Sequence, residues 1–171
     1  MRRAFVLVFA LALAALVTIP ALGGPPDQRN FRAHLSGGNE VPAVDTNAQG
    51  QATFTLSDDE TALHFKLITA NILNVAQAHI HCGVAGVNGP VVVFLYPAAP
   101  PAVLIPGRSD GVLSEGTATS ANVIARPDSP ECPGGIANFE QLIAKMRAGE
   151  TYTNVHTMPA FPGGEIRGQN R

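Results

Sequence analysis

Ala52-Thr53-Phe54-Thr55-Leu56-Ser57-Asp58-Asp59-Glu60-Thr61-Ala62-Leu63-His64-Phe65-Lys66-Leu67 is the stretch that decides the fold class. Ala52, Phe54 and Leu56 share one face of an extended chain, because successive side chains of a strand point to opposite sides. Ser57-Asp58-Asp59-Glu60 is a turn signal. Beyond it Leu63, Phe65 and Leu67 repeat the alternation, with His64 and Lys66 turned to solvent. Upstream, Phe31, Ala33 and Leu35 alternate in the same way and leave His34 outside. Downstream, residues 75–81, 90–96, 115–124, 151–157 and 164–169 read as further strands between Gly, Pro and Asn clusters. Several short strands at close spacing point to an all-β sandwich or barrel. One segment departs from period two. Phe139, Leu142, Ile143 and Met146 fall at i, i+3, i+4 and i+7 before Gly149, which predicts one short helix over about 136–148. The Pro-rich stretches 97–107 and 126–135 read as loops.

The chain has 171 residues, 46% hydrophobic and 14% charged, enough for one domain with its own core. Arg2 and Arg3 precede an apolar run from Ala4 to Val17, and Ala21-Leu22-Gly23 supplies small residues where a signal peptidase cuts. Residues 1–23 are therefore expected to be a cleaved signal peptide and 24–30 a flexible polar leader. The alternative, a retained anchor, is opposed by Pro20 and by a run shorter than the ~20 residues a span needs. The mature chain is expected to be exported, to the periplasm or the medium, and free of the membrane. Cleavage takes the 11 basic residues to 9 against 13 acidic ones, a balance of −4 that gives no electrostatic reason to bind nucleic acid. Cys82 and Cys132 make an even pair in an oxidising compartment and read as one disulfide, the alternative being two buried free thiols.

His79 and His81 frame Ile80 and, on a strand, point to one face. Two converging imidazoles are a usual start of a copper or zinc site. The bland reading is a pair of exposed or hydrogen-bonded histidines. His156, in Tyr152-Thr153-Asn154-Val155-His156-Thr157, shares a face with Asn154 while Val155 faces the core. If that strand lies beside residues 75–81, three nitrogen donors meet and leave a position open. Met158 follows on the same side, where a thioether would favour Cu(I), although an apolar turn residue is the simpler account. Alternation sends Cys82 to the opposite face from His81, which argues against a His₂Cys copper site. Glu165, Arg167 and Gln169 share a face near the C-terminus, either as a Glu165–Arg167 ion pair or as groups that orient imidazole N–H bonds. There is no Gly-x-Ser-x-Gly elbow, phosphate loop or dinucleotide fingerprint, and no catalytic residue is assigned.

Four segments taken together resemble the CHRD domain: Leu35-Ser36-Gly37-Gly38-Asn39-Glu40-Val41-Pro42, His79-Ile80-His81-Cys82-Gly83 through Gly89-Pro90, Tyr152 to Thr157, and Gly164-Glu165-Ile166-Arg167-Gly168-Gln169. The resemblance covers residues 31–170, with Ala43 standing where members commonly carry a second Pro. That domain occurs in several copies in chordin and singly in exported bacterial proteins, the form this chain resembles. It implies an immunoglobulin-like Greek-key β-sandwich of the kind used by copper,zinc superoxide dismutase. That enzyme's copper ligands are mimicked by His79, His81 and His156, but no bridging histidine or His-His-Asp zinc loop is present. The expected function is copper binding through these three residues, with weak redox activity at an open position and no enzyme proper. The alternative is an extracellular protein-binding module whose histidines, with Asn88, Asn154, Glu165 and Arg167, form a polar cluster that braces two loops. Its partner would be an extracellular or periplasmic protein.

Overall fold

The structure, a computed structural model, describes Pro25, residues 27–127 and residues 129–171; the expected signal peptide over 1–23 lies outside the described residues. Its order is β1 (Asn30–Ser36), β2 (Gln49–Leu56), β3 (Ala62–Cys82), β4 (Val91–Tyr96), β5 (Ile105–Thr119), α1 (Phe139–Arg147), β6 (Thr151–Thr157) and β7 (Phe161–Gln169). The fold is all-β with one short helix. β1, β2, β3, β6 and β7 pair antiparallel in a closed circuit, whose β1–β7 seam is the single register pair Ser36↔Arg167. β4 and β5 add to the circuit through β3.

The alternating runs fill the interior as their period requires. Phe31, Leu35, Phe54, Leu56, Leu63 and Leu67 are buried, while His34, His64, Thr53 and Lys66 stay outside. The sequence splits residues 63–67 and 75–81 into two strands, and here the structure differs. β3 runs unbroken through both, with register shifts between Thr69 and Ile72, Leu73 and Val75, and Val75 and Gln77. Its buried positions step by three through Thr69, Ile72, Val75 and Ala78 before resuming by two at Ile80 and Cys82. Asn71 and Asn74 take φ of 57° and 56°, a left-handed conformation that Asn tolerates better than most residues. At Thr69–Ile72 and Val75–Gln77 β3 carries one residue more than its partner, and at Leu73–Val75 β5 does; these irregularities bend the strand and together reverse which parity of β3 faces the core.

Two other boundaries move. β5 begins at Ile105, inside the expected loop, and ends at Thr119, followed by a 3₁₀ turn at Ser120–Asn122 where a strand to 124 is expected. The expected leader is tied down from Gln28 onward. Arg29 donates to the Leu56 carbonyl and pairs with Asp58, and Asn30 already belongs to β1.

α1 lies within the predicted span. Asn138 Oδ1 accepts from Gln141 N, and Gln141 Oε1 accepts from Ala137 N, so the first turn is capped from both directions. Phe139, Leu142, Ile143 and Met146 are buried against the sheet. Arg147, in the last turn, donates to the Gln28 carbonyl and pairs with Glu60. Cys132, in the loop before α1, is bonded to Cys82 at the end of β3, with Cα atoms 5.4 Å apart. The bond spans 50 residues, so in the chain-entropy model it contributes about 4 kcal/mol. Replacing both cysteines by serine should lower the denaturation free energy by about that much. A loss below ~1 kcal/mol in urea unfolding would contradict it.

Candidate metal centre

The site is built by strand pairing. β3 and β6 align Gln77↔His156, Ala78↔Val155, His79↔Asn154, Ile80↔Thr153 and His81↔Tyr152. Cross-strand partners share a face, so Ala78, Ile80, Thr153 and Val155 alternate away from the imidazoles. His79, His81, Tyr152, Asn154 and His156 occupy the opposite face. β4 flanks this face with Phe94, paired to His79, and β7 with Arg167, paired to Asn154. Loops cover it, so His79 is 2% and His81 8% exposed although neither points into the hydrophobic core.

One nitrogen from each of His79, His81 and His156 lies within 4.8 Å of the others. His81 Nδ1 donates to the Gly89 carbonyl at 2.8 Å, and His156 Nδ1 donates to the Pro162 carbonyl at 2.9 Å. A carbonyl can only accept, so each neutral ring carries its proton on Nδ1 and its lone pair on Nε2. His156 Nε2 is 3.2 Å from His79 Nδ1 and 3.0 Å from the Asn154 side-chain amide. His79 Nε2 and His81 Nε2 are buried without any hydrogen-bond partner. The glycines of the motif make this approach possible. A Cβ on Gly89 would stand 1.6 Å from the Cys82 carbonyl oxygen, so only glycine delivers that backbone to His81.

The polar residues picked out around the histidines divide into two groups. Asn154 touches His156, and behind it lies the carboxyl of Glu40, whose Oε1 has no hydrogen-bond partner. Glu165 and Arg167 do not form the expected ion pair. Glu165 accepts from the Thr46 and Thr157 hydroxyls, at 2.7 and 2.6 Å, and holds the 41–48 loop to β7. Arg167 donates to Asn88 Oδ1 and to the carbonyls of Val84 and Val87. Asn88 in turn donates to the Val41 carbonyl. These residues brace loops rather than orient imidazoles, because alternate residues of β7 lie one strand further from the histidines than β6 does. The sequence reading missed Glu40 and Tyr152 as contributors. Tyr152 stacks on His81 at 4.8 Å between centroids, and Arg167 Cζ sits 3.4 Å from the centre of the Tyr152 ring. Both stand in the quoted motifs, but nothing local marks a loop carboxylate as buried or a strand tyrosine as the stacking partner of an imidazole.

Burial sets the electrostatics. It pushes His79 down to about 3, helped by the neighbouring His156 and His81, and His81 down to about 4. His156 is lowered for the same reason. All three rings are neutral at pH 7 and able to donate a lone pair. Glu40 moves the other way, up to about 7, since burial outweighs the attraction of Arg167. Below the usual histidine value of 6.5 the unfolded chain takes up protons that the folded rings refuse, so stability is full above it and lost towards about 3. Glu40 stabilises the fold below its usual 4.5, and that contribution is lost as pH rises through about 7. Three lowered histidines outweigh one raised carboxyl, so the metal-free protein should gain stability from about pH 4 to about 7 and level off beyond. Glu40→Gln should steepen the rise between about pH 4.5 and 7, because the opposing loss of the Glu40 contribution falls in that window. A denaturation midpoint that falls between about pH 4.5 and 7 would contradict the histidine assignments, and one unchanged in its pH slope by Glu40→Gln would contradict that of Glu40.

No curated protein and no solved structure gives a match to the chain. The family model described as the CHRD domain matches residues 31–170, from the second residue of β1 to just past the end of β7, and so takes in every element that builds the site. The chain belongs to the CHRD domain family.

Proposed function

We propose that this CHRD domain is an exported metal-binding module that holds copper through His79, His81 and His156. The observation that carries the reading is the pair of buried, unpartnered Nε2 atoms on His79 and His81. A buried lone pair without a partner costs free energy, and a bound cation removes that cost. The donor set is all imidazole, with Cys82 committed to its disulfide, which suits copper or zinc rather than a hard cation. Ligands at about 2.0–2.1 Å from one ion stand about 3.3–3.6 Å apart, so the rings would close by about 1 Å from their present spread. Copper bound there supplies one-electron chemistry at whatever position the three rings leave open. The disulfide fits an oxidising compartment, and among the described residues no helix is long and apolar enough to cross a membrane. The Greek-key sandwich belongs to the same reading. It is supported by β3, which pairs with β2 over 63–70 and with β6 over 75–82.

The protein-binding alternative rests on the Arg167–Asn88–Val41 chain of hydrogen bonds, which would brace a recognition surface whether or not a metal is present. Metal stoichiometry separates the two. Oxidised mature protein exposed to equimolar copper and zinc and then dialysed should retain about one copper, lost in His156→Ala. Folded protein that keeps no metal would sink the copper reading. His79→Ala gives an independent measure: it should leave the apo fold within ~1 kcal/mol of wild type if the ring serves a metal. It should cost ~1–3 kcal/mol if the ring is a structural hydrogen-bonding group.

A further inference from the structure

A second site is suggested on the outer side of β1 and β7, where a groove of about 600 Å³ opens beneath the 37–41 and 83–90 loops. Arg32 and Arg171 face into it and are exposed. Their backbones exchange both hydrogen bonds, Arg32 N to Arg171 O at 2.7 Å and Arg171 N to Arg32 O at 2.9 Å. Residues paired in this way stand directly opposite, about 5.5 Å apart at Cα, with side chains on one face. Two like charges at such a position repel and destabilise the pairing. Arg29, Arg108 and Arg147 each have a carboxylate partner; among the described residues Arg32 and Arg171 have none. Two unneutralised guanidiniums held side by side make the fork that a carboxylate or phosphate group accepts from.

The remaining wall is already rigid. Arg167 also lines the groove, its guanidinium fixed by Asn88, by the Val84 and Val87 carbonyls and by the Tyr152 ring. Little side-chain freedom is therefore left to lose there on binding. Glu40 is the one acidic side chain among the described lining residues, and its carboxyl is neutral over much of the range below pH 7 because burial raises it. The volume falls in the range of small-molecule pockets. In a chain with 13 acids against 11 basic residues, three arginines around one acid are a local departure from the average charge.

We propose that this groove binds a small oxyanion of the carboxylate or phosphate class, gripped by Arg32 and Arg171 and backed by Arg167. None of His79, His81 and His156 lines this groove, and the test uses metal-free, disulfide-oxidised protein so that its outcome does not depend on copper. Amide resonances are followed by NMR while inorganic phosphate, or citrate in a parallel series, is added at constant ionic strength. Saturating shifts confined to the neighbourhood of Arg32, Asn39, Gly86 and Arg171 are expected in at least one series. Whichever anion saturates at the lower concentration identifies the class. Arg32→Gln combined with Arg171→Gln should weaken that binding about tenfold or more without lowering Tm, and Arg32→Gln alone should weaken it part of the way. Shifts that grow linearly without saturation in both series, or affinity unchanged in the double variant, would overturn the proposal.

Discussion

A strand must choose which parity of residues goes to the hydrophobic interior, and β3 makes that choice twice. Through Leu63 and Leu67 the odd positions face the core; from Ala78 to Cys82 the even ones do. Three successive steps of three residues, from Thr69 through Ile72 and Val75 to Ala78, effect the change. Had β3 run without them, His79 and His81 would point among Leu, Phe and Ile side chains. Ile80 would instead take up the loop-covered face. The same bend lets one strand pair with β2 and β5 in its first half and with β6 and β4 in its second. Circuit closure and the polar pocket thus have a common origin in a few residues of irregular backbone.

That origin explains what could be read in the chain and what could not. The alternating runs of β1 and β2, the amphipathic helix and the cysteine pair follow from local period and composition, and each was legible. His79, His81 and His156 were legible as a set because i, i+2 spacing and a neighbouring strand suffice to bring them together. The continuity of β3 was not, since Asn71 and Asn74 look like breaks when their left-handed backbone is in fact a bulge. β5 escaped for another reason. It is an edge strand exposed along most of its length and interrupted by Gly107, Gly111 and Gly116, so it carries little hydrophobic alternation to detect. Glu40 was hidden by depth: nothing local says that a loop carboxylate will be 7% exposed.

Charge is distributed around the imidazoles with some economy. The rings themselves are neutral, Glu40 gives up its charge near neutrality, and Glu165 keeps to hydroxyl partners. The permanent cation of Arg167 is spread over a tyrosine face and two carbonyls. Tyr152 consequently touches both His81 and Arg167, and its hydroxyl bonds to Gly89, whose carbonyl fixes the His81 tautomer. A single aromatic ring therefore links the loop-bracing arginine to the donor set. Gly164 completes the enclosure, because a Cβ there would stand 2.6 Å from Glu40 Oε1 and 2.9 Å from Asn154 Nδ2.

The pairing of β3 with β6 also fixes when the three imidazoles can meet. His79 and His156 are 77 residues apart in sequence, and the loop, the helix and β5 must be passed before β6 exists. The β2–β3 hairpin closes over a few residues around Ser57–Thr61 and can form early, whereas β6 joins only by a long-range encounter. A chain emerging unfolded offers two histidines on a flexible segment and nothing more. The cluster is thus one of the last features to assemble, and any ligand for it would be acquired by the finished fold rather than carried along by the growing chain.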